Sequence, residues 1–168
     1  VDQNQRNMLQ LAIERIPADT LLTELFSNSP MWWQLSNYNP SGSSDGSDNL
    51  NASEYYNHAR YLSTLYNYAM NHWNVTFNYV EPFNEPASLW WKNTNNQEGC
   101  HFDATSQNEM IAVLASVLFS EGEKGLADTG RQHTQHTQGR NITAASTPAI
   151  TAADENSYTL GVEGWNTY

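Results

Sequence analysis

Positive charge is scarce in this sequence. Seven Lys and Arg side chains are set against 18 Asp and Glu side chains, so the formal net charge at pH 7 is -11. Such a charge repels nucleic acids and anionic membranes, and we expect neither as a partner. No apolar run approaches the roughly 18 residues of a membrane span, and no basic-plus-apolar signal peptide opens the chain.

Cysteine is equally scarce, because Cys100 is the only one. A single cysteine excludes a disulfide framework within the chain. It is either a buried, inert thiol, which base rates favour, or a residue whose partner lies elsewhere. The chain also starts at Val1 rather than Met. We therefore expect that preceding sequence has been removed or was never included.

Acceptor patterns for N-glycosylation occur three times, at Asn51, Asn74 and Asn141. Each of these asparagines is followed two positions later by Ser or Thr, as the modification requires. On this basis we predict a secreted, extracellular glycoprotein.

Aromatic residues are plentiful, with 6 Trp and 9 Tyr, which excludes a disordered acidic tail and indicates a folded chain. Four of the tryptophans fall as adjacent pairs in two long polar loops. The first loop, residues 30–51, carries Trp32 and Trp33 together with Tyr38, and the second, residues 87–102, carries Trp90 and Trp91. Long loops within compact domains are usually functional, so both are candidates for a binding site.

Helical and strand patterns alternate along the chain. An apolar stripe of Met8, Leu9, Ala12, Ile13 and Ile16 predicts a first helix that ends at Pro17, and a second helix runs from Tyr55 to Trp73. A third is predicted to start at a capping box, Ser106 to Glu109, and to end at Gly122 and Gly125. The predicted strands are a buried one at 21–26, then 76–83 and 149–155, with a further helix starting after the last. This alternation predicts an α/β fold with a parallel sheet, helices outside it, and a working face at the carboxyl ends of the strands.

Glu85 is the strongest candidate for chemistry. It follows the second predicted strand, between Asn84 and Pro86, in the loop that carries the second tryptophan pair. A carboxylate beside apolar rings is desolvated, which raises its pKa toward the range of a general acid. Asn84 can donate an amide hydrogen bond beside it, and paired tryptophan faces suit a sugar ring. The alternative is a solvated loop acid with the tryptophans in the core.

Four blocks of sequence give a more specific indication. They are ELFSNSPMWW (24–33), EPFNEPASLWW (81–91), QEGCHF (97–102) and AADENSY (152–158). In order and spacing they resemble the fungal endo-β-1,6-galactanases of glycoside hydrolase family 30. The resemblance extends from about residue 3 to the C-terminus and is weak only over 120–147.

The resemblance implies a (β/α)8 barrel with an appended β-sandwich that cleaves β-1,6-galactan, as in arabinogalactan side chains, with retention of configuration. It makes Glu85 the general acid/base and Asn84 a sugar contact. It also places Trp32, Trp33, Trp90 and Trp91 in substrate-cleft loops, where one tryptophan of each pair is expected to pack rather than face the sugar.

The resemblance places the nucleophile after a seventh strand, and we expect it to lie outside this chain. A complete barrel needs about 250 residues, so residues 1–168 are predicted to be one incomplete barrel domain of about three strand–helix units. The chain is then a fragment or a remnant that cannot hydrolyse galactan alone. Asp154 and Glu155 are expected to bind substrate hydroxyls or to hold Glu85, and Glu81 to support it from within the strand.

Two other possibilities remain open. A carbohydrate-binding protein without catalysis, similar to a lectin, would keep the aromatic cleft, and exposed sheet edges would favour self-association. His133 and His136 have the spacing of metal ligands, but no carboxylate is fixed beside them. We expect no metal and no cofactor.

Overall fold

The computed structural model describes residues 3–129 and 148–152, with side chains described to residue 120 and again from 148. Three helices and three strands alternate in these residues, as the sequence pattern predicts. In chain order they are α1 (Gln3–Arg15), β1 (Glu24–Phe26), α2 (Tyr55–Tyr68), β2 (Tyr79–Glu81), α3 (Ala104–Thr129) and β3 (Ala149–Ile150).

The strands form one parallel sheet in the order β1-β2-β3. Glu24 of β1 pairs with Tyr79 of β2, and Tyr79 pairs with Ala149 of β3. The sequence prediction of a parallel sheet is therefore confirmed. Parallel neighbours place the loops that follow β1 and β2 at the same edge of the sheet, where both tryptophan pairs occur.

Each strand is shorter than predicted. For β1 and β2, the hydrogen bonding next to the strand explains why it stops. Before β1, the N–H of Thr23 donates to the side-chain Oδ1 of Asn78 at 2.9 Å rather than to a backbone carbonyl. After β2, Pro82 has no N–H to donate. The prediction that residues 21–26 form a buried strand is wrong, because Leu22 is 67% exposed and Phe26 39%.

The hydrophobic core lies between α2, α3 and the face of the sheet that carries Val80. Its buried members include Ala59, Leu62, Tyr66, Val80, Phe83, Met110, Leu114 and Val117. Each of α2 and α3 thus buries one apolar face, and the predictions of a second and a third helix are confirmed. Helix α1 contributes less than its pattern suggests: Leu9 and Ile13 pack against the core, but Met8 is 71% exposed and Ile16 41%.

The second helix ends where the sequence predicts, at Trp73, whereas both ends of α3 differ from the predictions. Helix α2 continues as a π-helical turn, Ala69–Trp73, which ends at Asn74 in left-handed backbone (φ +55°). Helix α3 begins at Ala104, and the carboxylate of Asp103 accepts the N–H of Ser106 at 2.8 Å, so Asp103 rather than Ser106 is the cap. Gly122 and Gly125 do not end α3, because a glycine weakens a helix without breaking it.

Within the part of the chain that the structure describes, no helix combines the length and apolar character needed to cross a membrane.

Candidate active site

Glu85 lies four residues beyond the end of β2, in a tight turn. Its φ is +46°, a left-handed value that non-glycine residues rarely adopt, and the following Pro86 would normally drive it to extended backbone. Such a conformation costs on the order of 1–3 kcal/mol and persists only where surrounding contacts enforce it. Strain of this kind is concentrated at functional sites.

Hydrogen bonds to backbone carbonyls fasten this turn. The carbonyl of Glu85 accepts the indole N–H of Trp91 at 2.9 Å and the backbone N–H of Ser88 at 3.0 Å. The carbonyl of Pro86 accepts the N–H of Phe102 at 2.9 Å. The two ends of the loop are therefore tied together around Glu85.

The residues just before Glu85 are buried. Asn84 is 8% exposed, and Glu81, the last residue of β2, is 5% exposed. The backbone carbonyl of Glu81 accepts the N–H of Ser27 from the loop after β1 at 3.0 Å. Glu81 and Asn84 thus lie where they can support a carboxylate at the carboxyl end of the sheet.

The four predicted tryptophans separate into two groups. Trp32 and Trp33 are each 55% exposed and lie edge to face, with ring centroids 5.7 Å apart. Trp90 is also largely exposed, whereas Trp91 is only 1% exposed. Trp91 is therefore the packing member of its pair and has no free face to stack on a sugar, whereas the expectation of one packing ring is wrong for the first pair, where both rings are exposed.

Tyr38 is a further aromatic side chain of the first loop, for which the sequence predicted no separate role. It is 66% exposed, its ring centroid lies 6.1 Å from that of Trp32, and its φ is +57°. Its position beside two tryptophans in a polar loop was visible in the sequence. The flanking Asn37 and Asn39 are turn formers and offered a signal for the bend that presents this ring.

The first aromatic loop (residues 27–50) and the second aromatic loop (residues 82–103) are joined along their length. The N–H of Asn93 donates to the carbonyl of Ser43, and that of Gly99 donates to the carbonyl of Pro40, both at 2.8 Å. Gly42 (φ +126°) makes the close approach possible, since a Cβ there would lie 2.2 Å from the backbone carbonyl of Trp91. The site is therefore a single surface formed by two loops.

Asp48 and His101 join the two loops at a second point. The Oδ1 of Asp48 lies 2.6 Å from the Nδ1 of His101 and accepts the N–H of Asp103 at 2.8 Å. Burial acts to raise the pKa of Asp48, but the hydrogen bonds from His101, Ser106 and Asp103 outweigh it and the pKa is lowered. Residues this far apart in sequence form no local motif, so no sequence pattern predicted this pair.

Two further ionisable groups are buried and neutral. Burial lowers the pKa of His58 to about 4, although the carbonyl of Pro82, close to the ring but outside hydrogen-bonding geometry, partly offsets the effect. Burial raises the pKa of the Cys100 thiol to about 12. The expectation that Cys100 is a buried, inert thiol is confirmed.

Among residues 3–129 and 148–152, no group of three or more His, Cys, Asp or Glu side chains could hold a metal ion. Four predicted residues lie outside the described part of the chain: Asp154, Glu155, His133 and His136. The glycosylation site Asn141 lies outside it as well, whereas Asn51 and Asn74 are exposed.

Comparison with known proteins gives the following similarities. The sequence model of O-glycosyl hydrolase family 30 matches residues 2–143. An endo-β-1,6-galactanase from Hypocrea rufa is 39% identical over 165 residues, which cover 98% of this chain and 29% of that protein. The crystal structure of a conserved exported protein from Bacteroides fragilis aligns with a TM-score of 0.59 at 18% identity, over 80% of this chain and 22% of that one. This last similarity concerns the fold alone.

Proposed function

The chain belongs to O-glycosyl hydrolase family 30, and on that premise we propose that it forms part of a retaining endo-β-1,6-galactanase with Glu85 as the general acid/base. The name of the Hypocrea rufa relative supports the substrate and linkage. The observation that carries the assignment is the strained turn at the carboxyl end of β2, which holds a carboxylate on the surface shared by the two aromatic loops.

In this reaction Glu85 first donates its proton to the glycosidic oxygen as the bond to the sugar breaks. A second carboxylate, about 5–5.5 Å away, forms the glycosyl-enzyme intermediate. Glu85 then removes a proton from the water that hydrolyses this intermediate. We assign no nucleophile within the described residues, because the family resemblance places it after a seventh strand and three strands are described here.

The exposed aromatic side chains supply the substrate contacts. Trp32, Trp33 and Trp90 present ring faces to solvent at the edge of the sheet where Glu85 lies, and Asn84 binds a hydroxyl of the sugar next to the scissile bond. Apolar ring faces with a few fixed polar groups are the usual composition of a small-molecule site. Asp154 and Glu155 follow β3 in sequence, and we propose that they bind substrate hydroxyls or hold Glu85.

We propose that the three strands belong to a (β/α)8 barrel, of which residues 1–168 form one incomplete domain. Closure of the barrel covers apolar side chains that the described part of the chain leaves exposed, including Leu22 and Phe119, which are 67% and 61% exposed. Where they stay uncovered, the same surface and the sheet edges promote self-association. The protein is secreted, and Asn51 and Asn74 carry glycans.

Substitution of Glu85 tests the assignment in the natural protein that contains these residues. Glu85→Gln keeps the size of the side chain but cannot exchange a proton, so hydrolysis of β-1,6-galactan should fall by about 10²–10⁴-fold. Glu98→Gln is the matched control, because Glu98 is an exposed carboxylate of the second aromatic loop, and its activity should be unchanged.

Binding of β-1,6-galacto-oligosaccharides, measured by calorimetry, separates catalysis from recognition. We expect Glu85→Gln to bind them as the unsubstituted protein does. Hydrolysis retained in Glu85→Gln would exclude Glu85 as the acid/base. Binding without hydrolysis in every variant and in the unsubstituted protein would establish the lectin-like alternative.

A further inference from the structure

Trp91 is a buried residue of the second aromatic loop whose indole N–H donates to the backbone carbonyl of Glu85. We propose that Trp91 is a positioning residue for catalysis: its indole N–H holds Glu85 in left-handed backbone and so aims the carboxyl group at the glycosidic oxygen. The inference rests on the proposed role of Glu85 as general acid/base. It assigns Trp91 a role different from the sugar contact that its sequence position suggested.

The first observation is the direction of the indole. The Nε1–H of Trp91 donates to the carbonyl of Glu85 at 2.9 Å, across six residues of sequence. The same carbonyl accepts the N–H of Ser88 within the turn itself. A local turn bond and a side-chain bond from the far end of the loop thus converge on one atom of Glu85, whose φ is +46°.

The second observation is the confinement of the ring. Trp91 is 1% exposed, and a Cβ at Gly99 would lie 2.3–2.5 Å from three of its ring atoms. A Cβ at Gly42 would lie equally close to the backbone carbonyl of Trp91. Both glycines therefore allow contacts that no other residue would permit, and they fix where the indole N–H points.

These contacts make the hydrogen bond consequential for catalysis. A left-handed backbone at a residue before proline persists only when its surroundings enforce it. Loss of the indole donor would let the turn relax and move the Glu85 carboxyl. General-acid catalysis depends on placement within hydrogen-bond reach of the leaving oxygen, so a small displacement reduces the rate.

The leaving group of the substrate reports on this placement. Protonation by a general acid is essential for a phenyl β-1,6-galactobioside but not for the 2,4-dinitrophenyl analogue, whose phenolate leaves without a proton. In the natural protein, Trp91→Phe should lower kcat/KM for the phenyl substrate by about 10-fold and for the dinitrophenyl substrate by less than about 2-fold. The ratio of the two constants does not depend on how much of the variant is folded.

Trp73→Phe is the control, since Trp73 is a tryptophan of the turn that follows α2 and lies outside both aromatic loops. Its ratio of the two constants should equal that of the unsubstituted protein. Replacement of Trp91 by 3-benzothienylalanine, which has sulfur in place of the indole N–H and nearly the same shape, should reproduce the changed ratio. This isostere tests the hydrogen bond even if Trp91→Phe fails to fold.

An equal loss of kcat/KM for both substrates, or no loss for either, would overturn the positioning role of Trp91. Glu85→Gln separates that result from failure of the proposed function. If Glu85→Gln loses activity selectively on the phenyl substrate while both Trp91 variants do not, Glu85 remains the acid and only the inference about Trp91 fails. If Glu85→Gln also leaves the ratio unchanged, the proposed function fails.

Discussion

Two buried ionisable side chains have strongly shifted pKa values. His58 lies on the inner face of α2 and is completely buried, and burial lowers its pKa to about 4. Cys100, also buried, has its pKa raised to about 12. Both side chains are therefore uncharged at pH 7, and the core around β2 holds neutral groups that charge only at a cost.

The pKa of His58 predicts a loss of stability in mild acid. The unfolded chain binds a proton to His58 below about pH 6.5, whereas the folded protein binds it only near pH 4, so acid favours the unfolded state. Between pH 7 and 4 this residue should lower the free energy of unfolding by about 3 kcal/mol. Urea unfolding at both pH values measures the loss.

In His58→Gln, the free energy of unfolding should fall between pH 7 and 4 by about 3 kcal/mol less than in the unsubstituted protein. His72→Gln, at an exposed histidine that follows the same helix, serves as the control and should lose as much as the unsubstituted protein. Equal losses in the two variants would contradict the assignment of the acid response to His58.

The sequence predicted some site residues and not others, and the difference has a physical basis. The role that we propose for Glu85 could be derived from the sequence because a loop carboxylate between Asn and Pro directly follows a strand pattern. The difference in burial between Trp90 and Trp91 was not predictable. Adjacent tryptophans have identical chemistry, and the contacts of Trp91 with Gly42 and Gly99 bring together residues that are separated in sequence.

At the scale of helices and strands, interiors were predictable and most ends were not. The apolar period identified α2 and α3 because burial of one helical face dominates their stability. Ends depend on single hydrogen bonds, such as those of Asn78 before β1 and Asp103 before α3. In α3 the pattern at Ser106 and Glu109 resembled a capping box, but the carboxylate of Asp103 caps the helix three residues earlier.

The cap on α3 gives a prediction at this scale. Asp103→Ala removes the acceptor for the N–H of Ser106 and should lower the free energy of unfolding by about 1 kcal/mol. Thr105→Ala, an exposed substitution in the same turn, should change it by less than about 0.5 kcal/mol. The midpoints of urea unfolding of the two variants and the unsubstituted protein measure these changes, provided that the dependence of the unfolding free energy on urea is the same in all three. An Asp103→Ala variant as stable as Thr105→Ala would show that Asp103 is not the effective cap.

At the scale of the whole molecule, the parallel sheet and the joined loops explain why the candidate site lies where it does. Strands β1 and β2 run side by side, and the loops that follow them meet through Ser43, Asn93, Asp48 and His101. The alternating elements predicted this arrangement, because consecutive parallel strands must bring their following loops to one edge. The pairing of particular loop residues depended on tertiary contacts that no local pattern encodes.

One measurement tests the central claim most directly: the product that a Glu85→Ala variant of the natural protein forms from 2,4-dinitrophenyl β-1,6-galactobioside in the presence of azide. This substrate forms the glycosyl-enzyme intermediate without an acid, and azide resolves that intermediate without a base. Our account predicts that azide restores turnover and that the product is the β-configured galactobiosyl azide. Unimpaired hydrolysis in the variant, or an α-configured azide, would contradict the assignment of Glu85 as the acid/base of a retaining galactanase.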